Sequence, residues 1–523
     1  MSTPPTTASA LETWQRAERQ LDAGLQDAAA EAYRSLTADP DLAAPAWLRL
    51  SIIAANQGRH RESVDAALSA CAARNPDPDL LYGIARRLIY LGEVHAALAC
   101  ALHPAMLRSH RPPLQAKLGK LLAGRYMPVA ALQLLDLARD GGVRDPAVDY
   151  LAGLCRMHLG DDAGAEQALE SALAAAPDHI PALRTLTKLR PPREGEDRIG
   201  RLQGVLSRVG EGHEDAPLLL YALFAEYDRQ GDVPQAWDAL QRAMTLRRAQ
   251  LRYDAGAEQQ LFEFLTSTRP PAAQGEGDGG PRPVFILGQP RSGTSLLERL
   301  LGRHDGIAAG GELQDLNYQL RYCCDLAGPP WLDLPLAQRA ESADFAELGR
   351  RYLERTRWRA RGRAVYVDKM PANFVNVSHI VRALPQARIL HMVRGPMDTC
   401  FSNLKEWFGG VYAHSYDQLE MADHFRRYRT LMAHWRALYP DRILDVRYDE
   451  LVTEPERVLR EIVDFLGLPA QDGLADAADR GGTVATPSAM QAREPVHRRY
   501  LDQWRRYEAY LGPLKERLGA LAY

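Results

Sequence analysis

The sequence predicts a multi-domain protein, with an all-α repeat solenoid followed by an α/β domain built on a parallel sheet. Three observations predict it. Glycines recur about every 34 residues through the first half, each ahead of an alanine-rich helical pattern. A stretch dense in Gly and Pro then interrupts the pattern. Beyond it, short apolar runs alternate with helical ones, which argues for parallel strands covered by helices on both faces.

Length and composition set the frame. A chain of 523 residues is too long for one core. Hydrophobic residues at 46% and charged residues at 25% are ordinary globular usage, and a net charge of -3 gives no reason to expect nucleic acid. No segment approaches the roughly 18 consecutive apolar residues that cross a bilayer. The start, MSTPPTTASALETW, lacks the basic patch and apolar core of a secretory signal. Of the six cysteines (Cys71, Cys100, Cys155, Cys323, Cys324 and Cys400), none forms a CxxC pair. Free thiols in a reducing cytoplasm are expected, and no metal site.

In the first half, glycines at 24, 58, 92, 124, 160 and 231 are separated by 34, 34, 32, 36 and 71 residues. Each unit reads as a helical hairpin that cannot bury its apolar face alone, so stacking neighbours creates the core and leaves a groove. The period, Leu-Gly at the turn, alanines between helices and closing prolines (Pro40, Pro76 and Pro177) resemble the tetratricopeptide repeat. The pattern blurs at 191–204, where a degenerate or replaced repeat is expected. Residues 1–267 are assigned to this solenoid. Its groove suits a protein or peptide partner, or self-association into a homo-oligomer.

Residues 268–283, TRPPAAQGEGDGGPRP, read as a flexible linker. The α/β domain, 284–523, opens with an apolar strand at 284–287, a glycine-bounded turn at 288–293 and a helix from Thr294. Backbone N–H groups of such a turn point at one spot, and the helix N-terminus adds partial positive charge, so the spot suits an anion. The spacing of Gly288 and Gly293 matches the first half of GxxxxGK[ST]. The lysine position holds Thr294, however, and Arg291 sits inside the turn. That disfavours a magnesium-dependent kinase or triphosphatase.

Further strands are expected at 365–368, 389–393 and 443–448. In open parallel sheets, ligands gather beyond the carboxyl ends of the strands. Those ends carry the 288–295 turn, Lys369, Arg394 and Tyr448. A cation or an anion-cradling loop at three of the four points to a ligand with several anionic groups.

Three strings, GQPRSGTSLLERLL, VRGPMDTCFSN and YDELVTEPERVLREIVDFLGLP, together resemble the sulfotransferases that use 3'-phosphoadenosine 5'-phosphosulfate (PAPS). The likeness is greatest to the tyrosylprotein sulfotransferases and to bacterial proteins that join tetratricopeptide repeats to such a domain. It implies a P-loop-like fold in which Arg291, Ser292, Gly293, Thr294 and Ser295 hold the 5'-phosphosulfate. By the same resemblance, Arg394 and Ser402 hold the 3'-phosphate, while Tyr448, Ser488 and Arg493 make the remaining nucleotide contacts. The family's base is a glutamate 21 residues after the loop arginine, which is Glu312 here, and its transition-state lysine corresponds to Lys369. The terminal YLDQWRRYEAYLGPL looks like the family's closing helix, with Trp504 and Tyr507 as packing residues.

These residue types suit the chemistry. Sulfuryl transfer needs stabilisation of charge on the leaving 5'-phosphate oxygen, which fixed cations and loop N–H groups supply without a metal. A carboxylate takes the acceptor's proton. Glu312 could instead cap the helix that follows, and His391 and His379 are alternative proton acceptors, with His391 in a core strand pattern. Two departures bear on the acceptor. Gln314 stands where animal tyrosylprotein sulfotransferases have an arginine that meets the acidic substrate peptide, and Glu406 stands where they have another near the cofactor. The expectation is a cytoplasmic PAPS-dependent sulfotransferase acting on a hydroxyl, first of all a protein or peptide tyrosine. The alternatives are a saccharide, lipid or small-phenol acceptor, or a repeat scaffold with a vestigial nucleotide domain.

Overall fold

The computed structural model describes residues 8–73, 76–269, 279–475 and 496–522. The chain forms two compact units, one of Met1–Cys155 with Gln314–Thr356 and the other of Arg156–Leu313 with Arg357–Tyr523. These units cut across the division read from the sequence, since each draws on both halves of the chain. Residues 270–278 of the expected linker lie outside the described residues, and the first strand begins at Arg282, inside the linker's assigned range.

The first unit starts with four helical hairpins. They pair Ala8–Asp22 with Gln26–Leu36, Ala43–Asn56 with His60–Ala72, Pro78–Leu91 with Val94–Ala101, and Pro112–Ala123 with Pro128–Asp140. Alanines such as Ala67, Ala85, Ala97 and Ala131 are fully buried, because only a small side chain lets neighbouring helices approach closely. Each hairpin turns on a residue with left-handed φ: Gly24 (78°), Gly58 (74°), Gly92 (81°) and Tyr126 (54°). Gly124 is not one of them; it has helical φ of -66°. With Tyr126 in its place, the turn positions 24, 58, 92, 126 and 160 are 34 apart throughout. Leaving a helix through the left-handed region satisfies its last carbonyls, and a non-glycine residue does so at a cost of about 1–2 kcal/mol.

The segment Gln314–Thr356 completes this unit. Its helices Asp315–Cys323 and Phe345–Thr356 are fixed by polar contacts to the hairpins. Glu93, 4% exposed, accepts from Arg355 Nε at 2.8 Å, from Gln319 at 3.3 Å and from Arg351 at 3.4 Å. The Tyr322 hydroxyl donates to Asp65 at 2.9 Å, and Arg125 donates to Gln314 at 2.9 Å and to Tyr318 at 2.8 Å. A Cβ at Gly92 would lie 2.1 Å from the Tyr318 ring, so glycine is required there. Part of the repeat surface is therefore covered by the chain itself.

The second unit contains helices Ile180–Leu189, Arg198–Val209, Ala216–Gln230 and Val233–Gln250. The blurred 191–204 stretch proves to be a longer connection, 190–197, leading into Arg198–Val209. It is stapled by Arg198 to Glu226 at 3.1 Å and by Arg190 to Glu196 at 2.7 Å. The strands among the described residues are β1 (Arg282–Gly288), β2 (Ile307–Ala309), β3 (Val365–Lys369), β4 (Arg388–Val393) and β5 (Ile443–Arg447). They form one parallel sheet in the order β2-β3-β1-β4-β5. Ile286 pairs with Lys369 and Gly288 with Met392, so the end of β1 is flanked by the ends of β3 and β4. Val284, Ile286, Leu297, Val367, Leu390 and Leu459 lie in the core on one face.

Three expectations change in detail. β2, only three residues long, was not foreseen. β5 stops at Arg447, and Tyr448 opens the helix Tyr448–Thr453. The closing segment is a 3-10 helix, Gln503–Tyr510, followed by the α-helix Gly512–Leu518, and Trp504 and Tyr507 are buried in packing roles. Among the described residues, no helix is long and apolar enough to cross a membrane.

Candidate active site

The described site residues all belong to the second unit. The turn after β1 has an unusual backbone: Gly288 (φ 142°), Arg291 (66°) and Gly293 (109°) all lie at positive φ. A Cβ at Gly288 would sit 2.7 Å from the Met392 carbonyl oxygen, and one at Gly293 2.5 Å from Tyr448 Cδ2. Both glycines are thus demanded by close approach. Left-handed geometry at an arginine costs of order 1–3 kcal/mol and persists only where the surroundings hold it. Here they do. Asn403 Nδ2 donates to the Pro290 carbonyl at 2.8 Å, and Arg394 Nη1 donates to the Arg291 carbonyl at 3.0 Å. Gln289 Nε2 lies 3.0 Å from His424 Nε2, and His424 Nδ1 lies 2.8 Å from Glu258 Oε1. Ser292, Thr294 and Ser295 are buried at the start of the helix Thr294–Leu301. The Ser292 Oγ has no hydrogen-bond partner among the described residues.

Glu258, His414 and His424 are spaced closely enough to share a metal ion. Their bonds serve another purpose. Arg427 and the Tyr253 hydroxyl each engage Glu258 at 2.8 Å. The two imidazoles stack face to face, with centroids 3.6 Å apart and planes 10° from parallel. The group braces Gln289 and the turn.

On the β3 side, Lys369 is fully buried, and its Nζ donates to Glu312 Oε1 at 2.5 Å. Glu312 does not cap the following helix: Gln314 occupies the N-cap. The loop that carries Glu312 is tightly specified. Gly310 N–H donates to the Val367 carbonyl at 3.0 Å, and a Cβ at Gly310 would clash with that oxygen at 2.3 Å. Gly311 N–H donates to Glu298 Oε1 at 2.8 Å, and Lys369 N–H donates to the Gly311 carbonyl at 3.0 Å. Burial pushes the Glu298 carboxyl above its usual range, with Lys369 and the Gly311 N–H opposing.

On the β4 side, Arg394 donates to the Tyr500 carbonyl and stands 4.7 Å over the Tyr448 ring and 3.8 Å from Asp398. Burial lowers its pKa. Ser402 is buried on the helix Pro396–Leu404 that follows Arg394. Arg291 Nη1 lies 3.8 Å from Glu406. Burial alone would raise the Glu406 pKa, but Lys188, Arg291 and Arg184 bring it down to about 2.

Arg291, Ser292, Gly293, Thr294, Ser295, Lys369, Arg394 and Tyr448 thus meet along the carboxyl edge of β3, β1 and β4, with Glu312 bonded to Lys369 and Ser402 on the next helix. Ser488 and Arg493 lie outside the described residues. His391 is engaged at both ring nitrogens, by Asp445 at 2.8 Å and the Tyr428 hydroxyl at 2.5 Å. Burial, aided by Arg382, drives the buried His379 down to about 3. Sequence reading missed Glu298, Asn403, Arg184 and Lys188. Glu298 and Asn403 do lie inside the quoted strings, where a buried polar residue on an apolar helix face was the available signal. Arg184 and Lys188 come from a distant part of the chain and left none.

Comparison with known proteins agrees with this architecture. Residues 283–472 match the Sulfotransferase family. An uncharacterized protein of Aquifex aeolicus is 27% identical over 399 residues, which cover 74% of this chain and 52% of that protein. The protein-tyrosine sulfotransferase of Drosophila melanogaster is 27% identical over 195 residues, 36% of this chain and 39% of that protein. The omega-hydroxy-beta-dihydromenaquinone-9 sulfotransferase of Mycobacterium tuberculosis is 24% identical over 243 residues, 36% of this chain and 63% of that protein. The chain spans about half or less of the length of the first two relatives. With its loop, parallel sheet and cation-lined strand ends, the region 283–472 is a domain of the sulfotransferase family.

Proposed function

We propose that this protein transfers the sulfuryl group of 3'-phosphoadenosine 5'-phosphosulfate to a hydroxyl acceptor, with a tyrosine of a protein or peptide as the first candidate. The observation that carries the reading is the convergence of the Arg291 turn, Lys369 and Arg394 on one sheet edge, with Glu312 bonded to Lys369. The residues fit such a donor. Ser292 Oγ is buried and unsatisfied among the described residues, and Gly288 and Gly293 leave no room for a Cβ where the backbone closes around the site.

When bound, the donor supplies an activated sulfur whose bond to the 5'-phosphate oxygen breaks as the acceptor oxygen bonds to it. Glu312 accepts the proton that the acceptor hydroxyl releases. Lys369, Arg291 and the turn's N–H groups are placed to balance charge on the departing oxygen, the task magnesium performs in phosphoryl transfer. Arg394 and Ser402 would hold the 3'-phosphate and Tyr448 the nucleoside side, joined in this reading by Ser488 and Arg493. The repeat helices would present a protein acceptor. Residues 1–267 and 284–523 are the functional division, whatever the compact units.

A second reading keeps the donor but changes the acceptor to a lipid, saccharide or small phenol. The menaquinone-modifying relative favours it, being nearly as similar as the tyrosine-modifying one. Incubation with sulfur-35-labelled donor and, in parallel, an acidic tyrosine peptide, a hydroxylated quinone and a saccharide separates the two. Label on the peptide is expected. Label only on the quinone or sugar overturns the tyrosine assignment, and no transfer to any acceptor overturns the enzyme reading in favour of a scaffold.

A further inference from the structure

Arg291 is held partly from outside the strands and loops of the sheet. Glu406, 8% exposed at its side chain, accepts from Lys188 Nζ at 2.6 Å and Arg184 Nη2 at 3.1 Å, and lies 3.8 Å from Arg291 Nη1. Arg184 and Lys188 sit four residues apart on the helix Ile180–Leu189 and therefore share one face. That helix is packed through Leu183 and Leu186, and Arg229 donates to the Thr187 carbonyl at 3.1 Å. The Tyr221 hydroxyl donates to the Leu404 carbonyl at 3.0 Å, fixing the chain just before Glu406. The cluster thus sets three cations against one carboxylate in a largely buried place, and the carboxylate is nearer to both repeat-side cations than to Arg291.

We propose that Arg184 and Lys188 are positioning residues of the donor site, acting through Glu406 to decide where Arg291 stands. This rests on the donor reading above. Without them, an ionised Glu406 would keep the Trp407 N–H, 3.1 Å from its Oε1, and Arg291 as its remaining ion-pair partner, and would draw Arg291 into a tight pair, away from an incoming anion. With them, the charge of Glu406 is shared, Arg291 keeps its left-handed position, and the excess positive charge favours a polyanionic ligand. The helix Ile180–Leu189, from the repeat half of the sequence, is then a working part of the donor site as well as a platform.

The test uses the full chain and 3',5'-adenosine bisphosphate. Calorimetric titration and transfer kinetics are run on wild type, Lys188→Met, Arg184→Met and Lys188→Arg, with melting temperatures alongside. Lys188→Met and Arg184→Met are expected to raise the bisphosphate Kd and the donor KM about tenfold each, the size of one lost charge-assisted contact, and to lower kcat as well, because a displaced Arg291 also balances less charge on the departing oxygen. Lys188→Arg is expected to restore wild-type affinity. In a Glu406→Gln background the Lys188→Met effect should shrink below about twofold, because the route through Glu406 is gone. A lowered melting temperature with unchanged Kd would make both residues merely structural and overturn the inference. An effect of equal size in the Glu406→Gln background would overturn it as well, by giving Lys188 a direct contact with ligand. Wild type that binds no bisphosphate would instead overturn the donor reading.

Discussion

Glu312 and Glu406 each face a cation of the candidate site, one on the β3 side and one on the β4 side, in opposite surroundings. Among the described residues Glu312 forms an ion pair with Lys369, and its side chain keeps 16% of its exposure. Glu406 is 8% exposed and shared among Lys188, Arg184 and Arg291, which hold its pKa at about 2. The difference teaches how one residue type is given two tasks. In the proposed reading the more open carboxylate takes the acceptor's proton, whereas the one enclosed by three cations is a fixed charge that shapes its neighbours.

Breaking the comparison at Glu312 should have the largest effect. Glu312→Gln is expected to lower kcat about 10²- to 10⁴-fold with little change in donor affinity, read from steady-state rates beside a binding titration. Equal turnover would remove the distinction between the two glutamates. On the β4 side, Arg394→Met is expected to cost about 1.5–3 kcal/mol in binding of nucleotides that carry a 3'-phosphate and nothing for those that lack it, as the ratio of their Kd values would show.

A pH series sharpens the comparison. Burial, reinforced by Arg184, lowers the Lys188 pKa to about 8 against the pull of Glu406. Lys405 is likewise lowered to about 8 by burial, with Asp228 opposing and Arg291 and Arg394 reinforcing. A bound polyanion raises both values, so binding takes up protons. Affinity for the bisphosphate is expected to be greatest near pH 7, to fall as pH passes 8 where Lys188 and Lys405 lose their protons, and to fall again below about pH 6 where the ligand's own phosphates gain them, with Glu406 contributing nothing in that range. Titrations in buffers of different ionisation enthalpy would measure the uptake. The smallest effect lies in the repeats. Tyr126→Gly should relieve left-handed strain and stabilise the chain by about 0.5–1 kcal/mol, visible as a rise of about 1 °C in Tm.

Much of this was legible in the sequence. The turn at 288–293 and the cations at strand ends were readable because parallel strands are short apolar runs and the turn needs glycine where the backbone closes on Met392 and Tyr448. The repeat period was readable for the same reason, and it slipped by two residues only where Tyr126 takes a position that glycine usually fills. What stayed hidden is non-local. The three residues of β2 are too few to show a period. The interleaving of the two units depends on where the Gln314–Thr356 segment packs, through residues such as Glu93 and Arg355 that lie 262 positions apart. The pairing of Glu406 with Lys188 joins residues 218 positions apart, so no motif could announce it.

Calorimetric titration of the wild-type chain with 3',5'-adenosine bisphosphate beside 5'-adenosine monophosphate tests the account most directly, since the two ligands differ only in the group assigned to Arg394 and Ser402. The account predicts that the bisphosphate binds at least about tenfold more tightly, the worth of one hydrogen-bonded charge contact. Equal affinities, or no binding of either, would contradict it.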